Sequence, residues 1–150
     1  MEILIDNRQK IYPISENKIR KKTETILDAL ECPDAELSIV VVDDAQIARL
    51  NREYLGRSGP TNVIAFSMQE GAFKDINPAL LGDVVVSVET ADKESKIGGM
   101  RLEDRFAELL IHGILHLIGF DHEKTDKEAR EMETKEIALK RLLQPGLNRL

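Results

Sequence analysis

The sequence predicts an α+β fold in which a small four-stranded sheet packs against about five helices. Runs of β-branched residues alternate with longer stretches of helical periodicity, and Pro and Gly residues fall between them. The 150 residues contain no internal repeat, low-complexity tract or linker. We therefore interpret 1–150 as a single domain.

The N-terminal part of the chain predicts two strand–helix units. Residues 2–6 (EILID) favour a strand, and the apolar residues within 14–30 recur at the spacing of an amphipathic helix. Residues 35–42 (AELSIVVV) give the strongest strand signal, and their β-branched run indicates burial on both faces. The two aspartates that follow provide an N-cap for a second helix, which a loop at 56–60 ends.

Two further strands and a short helix are predicted in the middle of the chain. Residues 62–66 (NVIAF) favour a strand, and 67–80 contain Gly, Asn and Pro residues typical of a surface loop. Residues 81–88 (LGDVVVSV) favour a strand that runs almost directly into a helix near Glu89. A glycine pair ends that helix.

Two longer helices are predicted at the C-terminal end, at 101–118 and at about 124–143. The first is largely apolar, whereas the second is heavily charged. We assign the buried stripe of the second to Ala129, Met132, Ile137 and Leu142 or Leu143.

The composition narrows the classes of function. A net charge of −6 and a pI near 5.2 disfavour a general nucleic-acid binder, although basic clusters lie at 18–22 and 49–57. We interpret the first cluster as a solvated helix face. No apolar run reaches the length of a membrane span, the N-terminus reads as a strand rather than a signal peptide, and Cys32 is the single cysteine. We expect a cytoplasmic protein with no membrane partner.

The chain's three histidines all lie in the segment 112–122 (HGILHLIGFDH). His112 and His116 are four residues apart, which places both imidazoles on one helix face. Gly119 is the residue type that lets a helix end in a left-handed turn, after which the chain can return His122 to the same pair. Three imidazoles with a fourth position left open predict one catalytic Zn²⁺ per chain.

The spacing HxxxHxxGxxH is that of the metzincin zinc proteases, which carry Glu directly after the first histidine. Here that position is Gly113. The glutamate is the general base of peptide cleavage, so the same residues predict a metal site and disfavour a standard metalloprotease.

Two carboxylates near the motif are candidates for the missing proton chemistry. Glu108 lies four residues before His112 on the same helix face, so it is a candidate to orient an imidazole; a solvated helix carboxylate is the alternative. Asp121 directly precedes His122, and we interpret it chiefly as shaping the return turn while keeping it as a catalytic candidate.

The segment HGILHLIGFDH resembles the signature HGxLHLxGYDH of the YbeY family, bacterial single-strand-specific endoribonucleases of ribosomal RNA maturation. Residues 50–54 (LNREY) with 60–66 (PTNVIAF) resemble the family's LNxxYR…PTDVLSF segment, and 81–87 (LGDVVVS) resemble its LGDIxIS strand. The resemblance covers essentially the whole chain.

The resemblance implies a mixed sheet and a metal held by His112, His116 and His122. It also implies a role in maturing the 3′ end of small-subunit ribosomal RNA and in ribosome quality control, with ribosomal RNA and the ribosome or its proteins as partners. One position departs from the pattern, because Leu55 stands where the family carries Arg after the tyrosine. Arg57, two residues on, is the candidate to contact phosphate instead.

We therefore expect metal-assisted hydrolysis of a phosphodiester in single-stranded RNA, with no role for DNA. Arg57 would bind the phosphate, and Tyr54, Phe66 or Phe73 would stack an unpaired base, unless these aromatic side chains belong to the core. The nucleophile is either water or the RNA 2′-hydroxyl. The alternatives are a metal-dependent hydrolase of another substrate and a non-catalytic ribosome-associated factor with a structural zinc.

Overall fold

The computed structural model describes residues 1–68, 79–121 and 125–144. Within them, one sheet holds four strands in the order β1-β2-β4-β3. The first two neighbouring pairs are parallel and β3 pairs antiparallel with β4, so the predicted mixed sheet is confirmed. The strands are β1 (Glu2–Asn7), β2 (Glu36–Val42), β3 (Val63–Ser67) and β4 (Leu80–Ser87).

Five helices surround the sheet in the described part of the chain, as the periodicity predicts. They are α1 (Glu16–Ala29), α2 (Asp44–Leu55), α3 (Val88–Ile97), α4 (Leu102–Leu117) and α5 (Asp126–Leu143). Asp43 is the N-cap of α2 and forms a capping box with Gln46. Ser87 caps α3 directly from the end of β4, which is why that strand runs into its helix without a loop. Most of the predicted surface loop, at residues 69–78, lies outside the described residues.

The two faces of the sheet are covered unequally, which corrects one prediction. On one face Leu37, Ile39 and Val41 of β2 are buried in the main core with α1, α3, α4 and α5. On the other face Ser38 and Val40 stay half-buried, because this side carries only a small second cluster centred on α2. β2 is therefore fully buried on one face rather than on both.

α4 crosses the sheet at close range where its sequence has Gly113. A Cβ at this position would lie 2.6 Å from Cγ1 of Val84 on β4 and 3.3 Å from Cγ2 of Val63 on β3. Val84 is fully buried and cannot move aside freely. Glycine at this position thus allows the helix to pack against the strands and fixes which of its faces points outward.

The buried stripe of α5 differs from its predicted one. Met132 and Leu139 are buried, whereas Ile137 is 48% exposed. Leu143 packs against the core and Leu142 is exposed. Packing on α4 and α1 determines which face of this charged helix is buried. The hydrophobicity of α5 alone does not predict that face. Among the described helices, none combines the length and the hydrophobicity that crossing a membrane requires.

Candidate active site

His112 and His116 converge near the end of α4. Their Nε2 atoms are 3.1 Å apart, and the ring planes meet at 76° with centroids 4.6 Å apart. Two imidazoles bound to one tetrahedral zinc at 2.0–2.1 Å would hold their nitrogens about 3.3 Å apart. The Nε2 spacing of this pair therefore fits a shared metal ion.

The helix ends as Gly119 predicts. Gly119 adopts φ 105°, its N–H donates to the carbonyl of His116 at 3.1 Å, and the N–H of Phe120 donates to the carbonyl of Leu115 at 3.0 Å. This pair of bonds is a Schellman motif, which turns the chain back on the helix. Asp121 accordingly lies in the same cleft as the two histidines. His122 lies outside the described residues, so its place as third ligand stays a prediction.

A cleft of about 610 Å³ opens in front of the histidine pair, between α4, β3 and the loop that follows α2. Four of the predicted site residues line it: Arg57, His112, His116 and Asp121. A second cavity of about 420 Å³ lies on the other side of His112, between α4 and α5. Asn62 and His112 line both cavities.

The loop that carries Arg57 is fixed by a residue that our sequence analysis missed. Asn51 is 5% exposed, and its side-chain N–H donates to the carbonyl of Gly59 at 3.0 Å. The backbone carbonyl of Asn51 accepts from the N–H of Arg57 at 3.2 Å. The sequence signal for this role is the position of Asn51, four residues after Ile47 on the apolar face of α2. A side-chain amide buried there needs hydrogen-bond partners.

The prediction that Glu108 orients an imidazole is corrected. Its carboxylate accepts from Arg105 Nη1 at 3.0 Å and from Lys140 Nζ at 2.5 Å, and it lines the second cavity. Burial raises the pKa of the Glu108 carboxyl, but the bonds from Lys140 and Arg105 outweigh burial and hold this pKa below its ordinary value. The carboxylate that approaches His112 in the described part of the chain belongs to Glu136 of α5.

Comparison with known proteins identifies the family. The family model described as Endoribonuclease YbeY matches residues 4–144. The chain belongs to the YbeY family. The protein named Endoribonuclease YbeY from Geobacter sulfurreducens is 50% identical over 147 residues, which are 97% of this chain and 98% of that protein. The protein of that name from Geobacter metallireducens is 51% identical over 137 residues, 91% of each chain.

A solved structure supports the same assignment. The solution structure of a Thermotoga maritima protein superposes with a TM-score of 0.69 at 28% sequence identity. The match covers 98% of this chain and 92% of that one. The predicted α+β fold and the resemblance to the YbeY family are thereby confirmed.

Leu55, where the sequence departs from the YbeY pattern, lies at the end of α2 beside the histidine cleft. Leu55 is the last residue of α2 and Arg57 follows the C-cap Gly56, which adopts φ 65°. Both Leu55 and Arg57 line the histidine cleft. Arg57, two residues after Leu55, thus borders the same cleft as the position where the family pattern has its arginine.

The aromatic residues predicted to stack an RNA base differ in how far they are exposed to solvent. Phe66 is half-buried in the cluster beneath α2 and meets Tyr54 edge-on, with ring centroids 5.6 Å apart. Tyr54 is 66% exposed, on the last turn of α2 next to the cleft residue Leu55. Phe66 therefore belongs to the core rather than to an RNA-binding surface. Tyr54 remains a candidate for base stacking. Phe73 lies outside the described residues.

Proposed function

We propose that this chain is a metal-dependent endoribonuclease that cleaves single-stranded RNA. The observation that carries the proposal is the convergence of Arg57 with His112 and His116 in one cleft, in a member of a family whose relatives are named endoribonucleases. We assign it to maturation of the 3′ end of small-subunit ribosomal RNA and to ribosome quality control, acting in the cytoplasm on ribosomal RNA at the ribosome.

The residues that would hold the metal are His112 and His116, with His122 as the predicted third ligand. We propose zinc, because neutral imidazoles suit it and the Nε2 spacing of the described pair fits. When bound, such an ion supplies Lewis acidity toward a phosphoryl oxygen and lowers the pKa of water.

The chain's own residues would bind and orient the RNA. The guanidinium of Arg57 is suited to two parallel hydrogen bonds with the non-bridging oxygens of a phosphate, which neutralises charge as the phosphorus gains a fifth oxygen. Asp121 lines the same cleft, and its carboxylate is the candidate to accept the proton of the attacking water or hydroxyl. One phosphorus–oxygen bond forms and one backbone phosphorus–oxygen bond breaks, and the departing sugar oxygen takes up a proton from water or from the protonated Asp121.

Two nucleophiles are compatible with this arrangement, water and the 2′-hydroxyl of the RNA. The product ends distinguish them, because attack by the 2′-hydroxyl leaves a cyclic phosphate.

The proposal is tested with His116→Ala. We expect a folded protein that retains less metal after purification and cleaves single-stranded RNA at least about 100-fold more slowly. Glu133→Gln, an exposed change on α5, is the control and should match the wild type in both measurements. Undiminished cleavage by His116→Ala would contradict a catalytic metal, and unfolding of that variant would favour a structural one.

Peptide hydrolysis is the alternative that the structure disfavours most directly. The metzincin glutamate position is Gly113, whose missing Cβ would already collide with Val84. A side chain at this position would require Val84 or α4 to shift. Incubation with a peptide panel beside the RNA substrates should yield cleavage of RNA alone.

A further inference from the structure

We infer that Glu136 is a positioning residue that orients His112 for the metal, an inference that rests on the proposed function. The two ring nitrogens of His112 face different groups. Its Nε2 lies 3.1 Å from Nε2 of His116, and its Nδ1 lies 3.4 Å from Oε2 of Glu136. The His112 ring therefore lies between His116, the other described metal-ligand candidate, and the Glu136 carboxylate of α5.

A carboxylate at Nδ1 determines which nitrogen can bind the metal. A neutral imidazole carries one N–H, and an ionised carboxylate can only accept a hydrogen bond. Glu136 therefore favours the tautomer with the proton on Nδ1, which leaves the lone pair of Nε2 directed at His116. Metal-bound histidines in proteins commonly donate their other N–H to such a partner, which fixes the ring and makes it a better ligand.

The packing of α4 against α5 holds Glu136 in this position. Lys140, one turn further along α5, binds Glu108, which lies one turn before His112 on α4. The two pairs thus lie side by side along antiparallel helices, and the Glu108–Lys140 pair adds an ionic contact to the register that brings Glu136 to His112. This gives Glu108 an indirect role in place of the direct one predicted from its spacing.

The phase of α5 supports the same inference independently. Glu136 lies between the buried residues Met132 and Leu139 on the inner side of the helix, while Ile137 is 48% exposed. Hydrophobicity alone would place the isoleucine inside and the glutamate outside. A half-buried carboxylate costs free energy unless it has a partner, and His112 provides that partner.

The experiment compares Glu136→Gln and Glu136→Ala with Glu133→Gln, which removes the same charge one turn earlier beside the same cavity. Zinc affinity is measured by chelator competition and the unfolding temperature is measured on metal-free protein. We expect Glu136→Ala to bind zinc about 10- to 100-fold more weakly, with a smaller loss for Glu136→Gln. Metal-free stability should stay near that of the wild type, and Glu133→Gln should change neither quantity.

A spectroscopic measurement separates positioning from a general effect on folding. Long-range ¹H–¹⁵N correlation on the metal-free wild type should show the neutral His112 ring with its proton on Nδ1, whereas metal-free Glu136→Ala should show a mixture of the two tautomers. Wild-type zinc affinity in both Glu136 variants would overturn the inference while leaving the proposed function intact. If the wild type itself bound no zinc, or if His116→Ala bound it equally well, the metal site and the inference would both fail.

Discussion

Arg57 lies on the loop after α2, where Asn51 fixes the backbone, and Arg57 lines the histidine cleft. We predict that Arg57→Ala lowers the rate of RNA cleavage on the order of 100-fold, because a pre-positioned donor to the phosphate is lost. Arg130→Ala removes an exposed arginine of α5 that does not line the histidine cleft and should change the rate little. Initial rates on a short single-stranded RNA measure both effects.

The displaced-arginine interpretation has its own test in the double variant Arg57→Ala with Leu55→Arg. Position 55 is where the family resemblance places an arginine, and Leu55 borders the same cleft. We expect the added arginine to recover at least a tenth of the wild-type rate, within the range that one phosphate contact contributes. If Arg57→Ala alone cleaves like the wild type, Arg57 has no catalytic role.

Tyr54 presents a ring that is 66% exposed on the last turn of α2, supported edge-on by Phe66. A base stacked on this ring would contribute about 1–3 kcal/mol, so Tyr54→Ala should raise KM for single-stranded RNA about 5-fold or more. Tyr54→Phe keeps the ring face and should leave KM unchanged. An equal rise in both variants would assign the effect to the hydroxyl group and refute stacking.

At the scale of elements, the contact of α4 with the sheet depends on Gly113. Alanine has the higher helix propensity by about 1 kcal/mol, but the added Cβ would lie 2.6 Å from Val84 Cγ1 inside the core. Overpacking of this kind costs about 1–3 kcal/mol. We therefore predict that Gly113→Ala lowers the free energy of unfolding, measured by urea titration, and weakens metal binding as His112 shifts.

Gly98→Ala is the matched control for this packing effect. Gly98 ends α3 at φ −83°, and a Cβ there would meet its nearest neighbour at 3.4 Å. We expect no significant change in the free energy of unfolding. Equal stability of Gly113→Ala and the wild type would show that α4 can move away from β4 at little cost.

The junction between α2 and α3 depends on Asp44. Its carboxylate accepts from Ser87 at 2.7 Å, from Lys93 at 2.8 Å, and from Thr90. Burial raises the pKa of the Asp44 carboxyl, but the bonds from Lys93, Thr90 and Ser87 outweigh it and hold this pKa below its ordinary value. Asp44→Asn should therefore destabilise the protein by about 1–3 kcal/mol at neutral pH.

The same lowered pKa fixes the sign of the pH dependence. The stabilisation from ionised Asp44 is fully present above the unfolded-state pKa of about 3.9 and is lost as the pH falls through the lower folded-state value. The difference in unfolding free energy between the wild type and Asp44→Asn should be constant from pH 5 to 7 and shrink below about pH 4. Asp34→Asn, at an exposed turn, is the control; a difference that grows on acidification would contradict this assignment.

Local signals predicted the elements but not how the helices pair. Asp43, Ser87 and Gly119 act where the sequence places them, because caps and turns depend on neighbouring residues alone. The partners of Glu108 and the exposure of Ile137 depend on the register between α4 and α5, which helical periodicity does not encode. Glu136 was missed for the same reason.

At the scale of the whole molecule, a net charge of −6 is combined with an uneven distribution of basic residues. Lys18 pairs with Glu103, and Arg20 donates to the carbonyl of Ile3, so part of the α1 cluster serves the protein itself. Arg49, Arg52 and Arg57 are exposed on α2 and the loop after it, towards the cleft end of the helix. This group is the part of the surface best placed to meet RNA phosphates.

This distribution predicts weak RNA binding with a shallow salt dependence. If three arginines each neutralise one phosphate of a single strand, log K falls with a slope of about −2 against log salt, roughly 15-fold between 50 and 200 mM. Fluorescence anisotropy with single-stranded RNA and the slowly cleaving variant His116→Ala measures the slope. Removing Arg49 and Arg52 together should bring it near −0.7, whereas Lys21→Ala with Lys22→Ala on α1 should leave it unchanged. Tight, salt-insensitive binding by the isolated protein would refute this account and remove the need for a ribosomal partner in targeting.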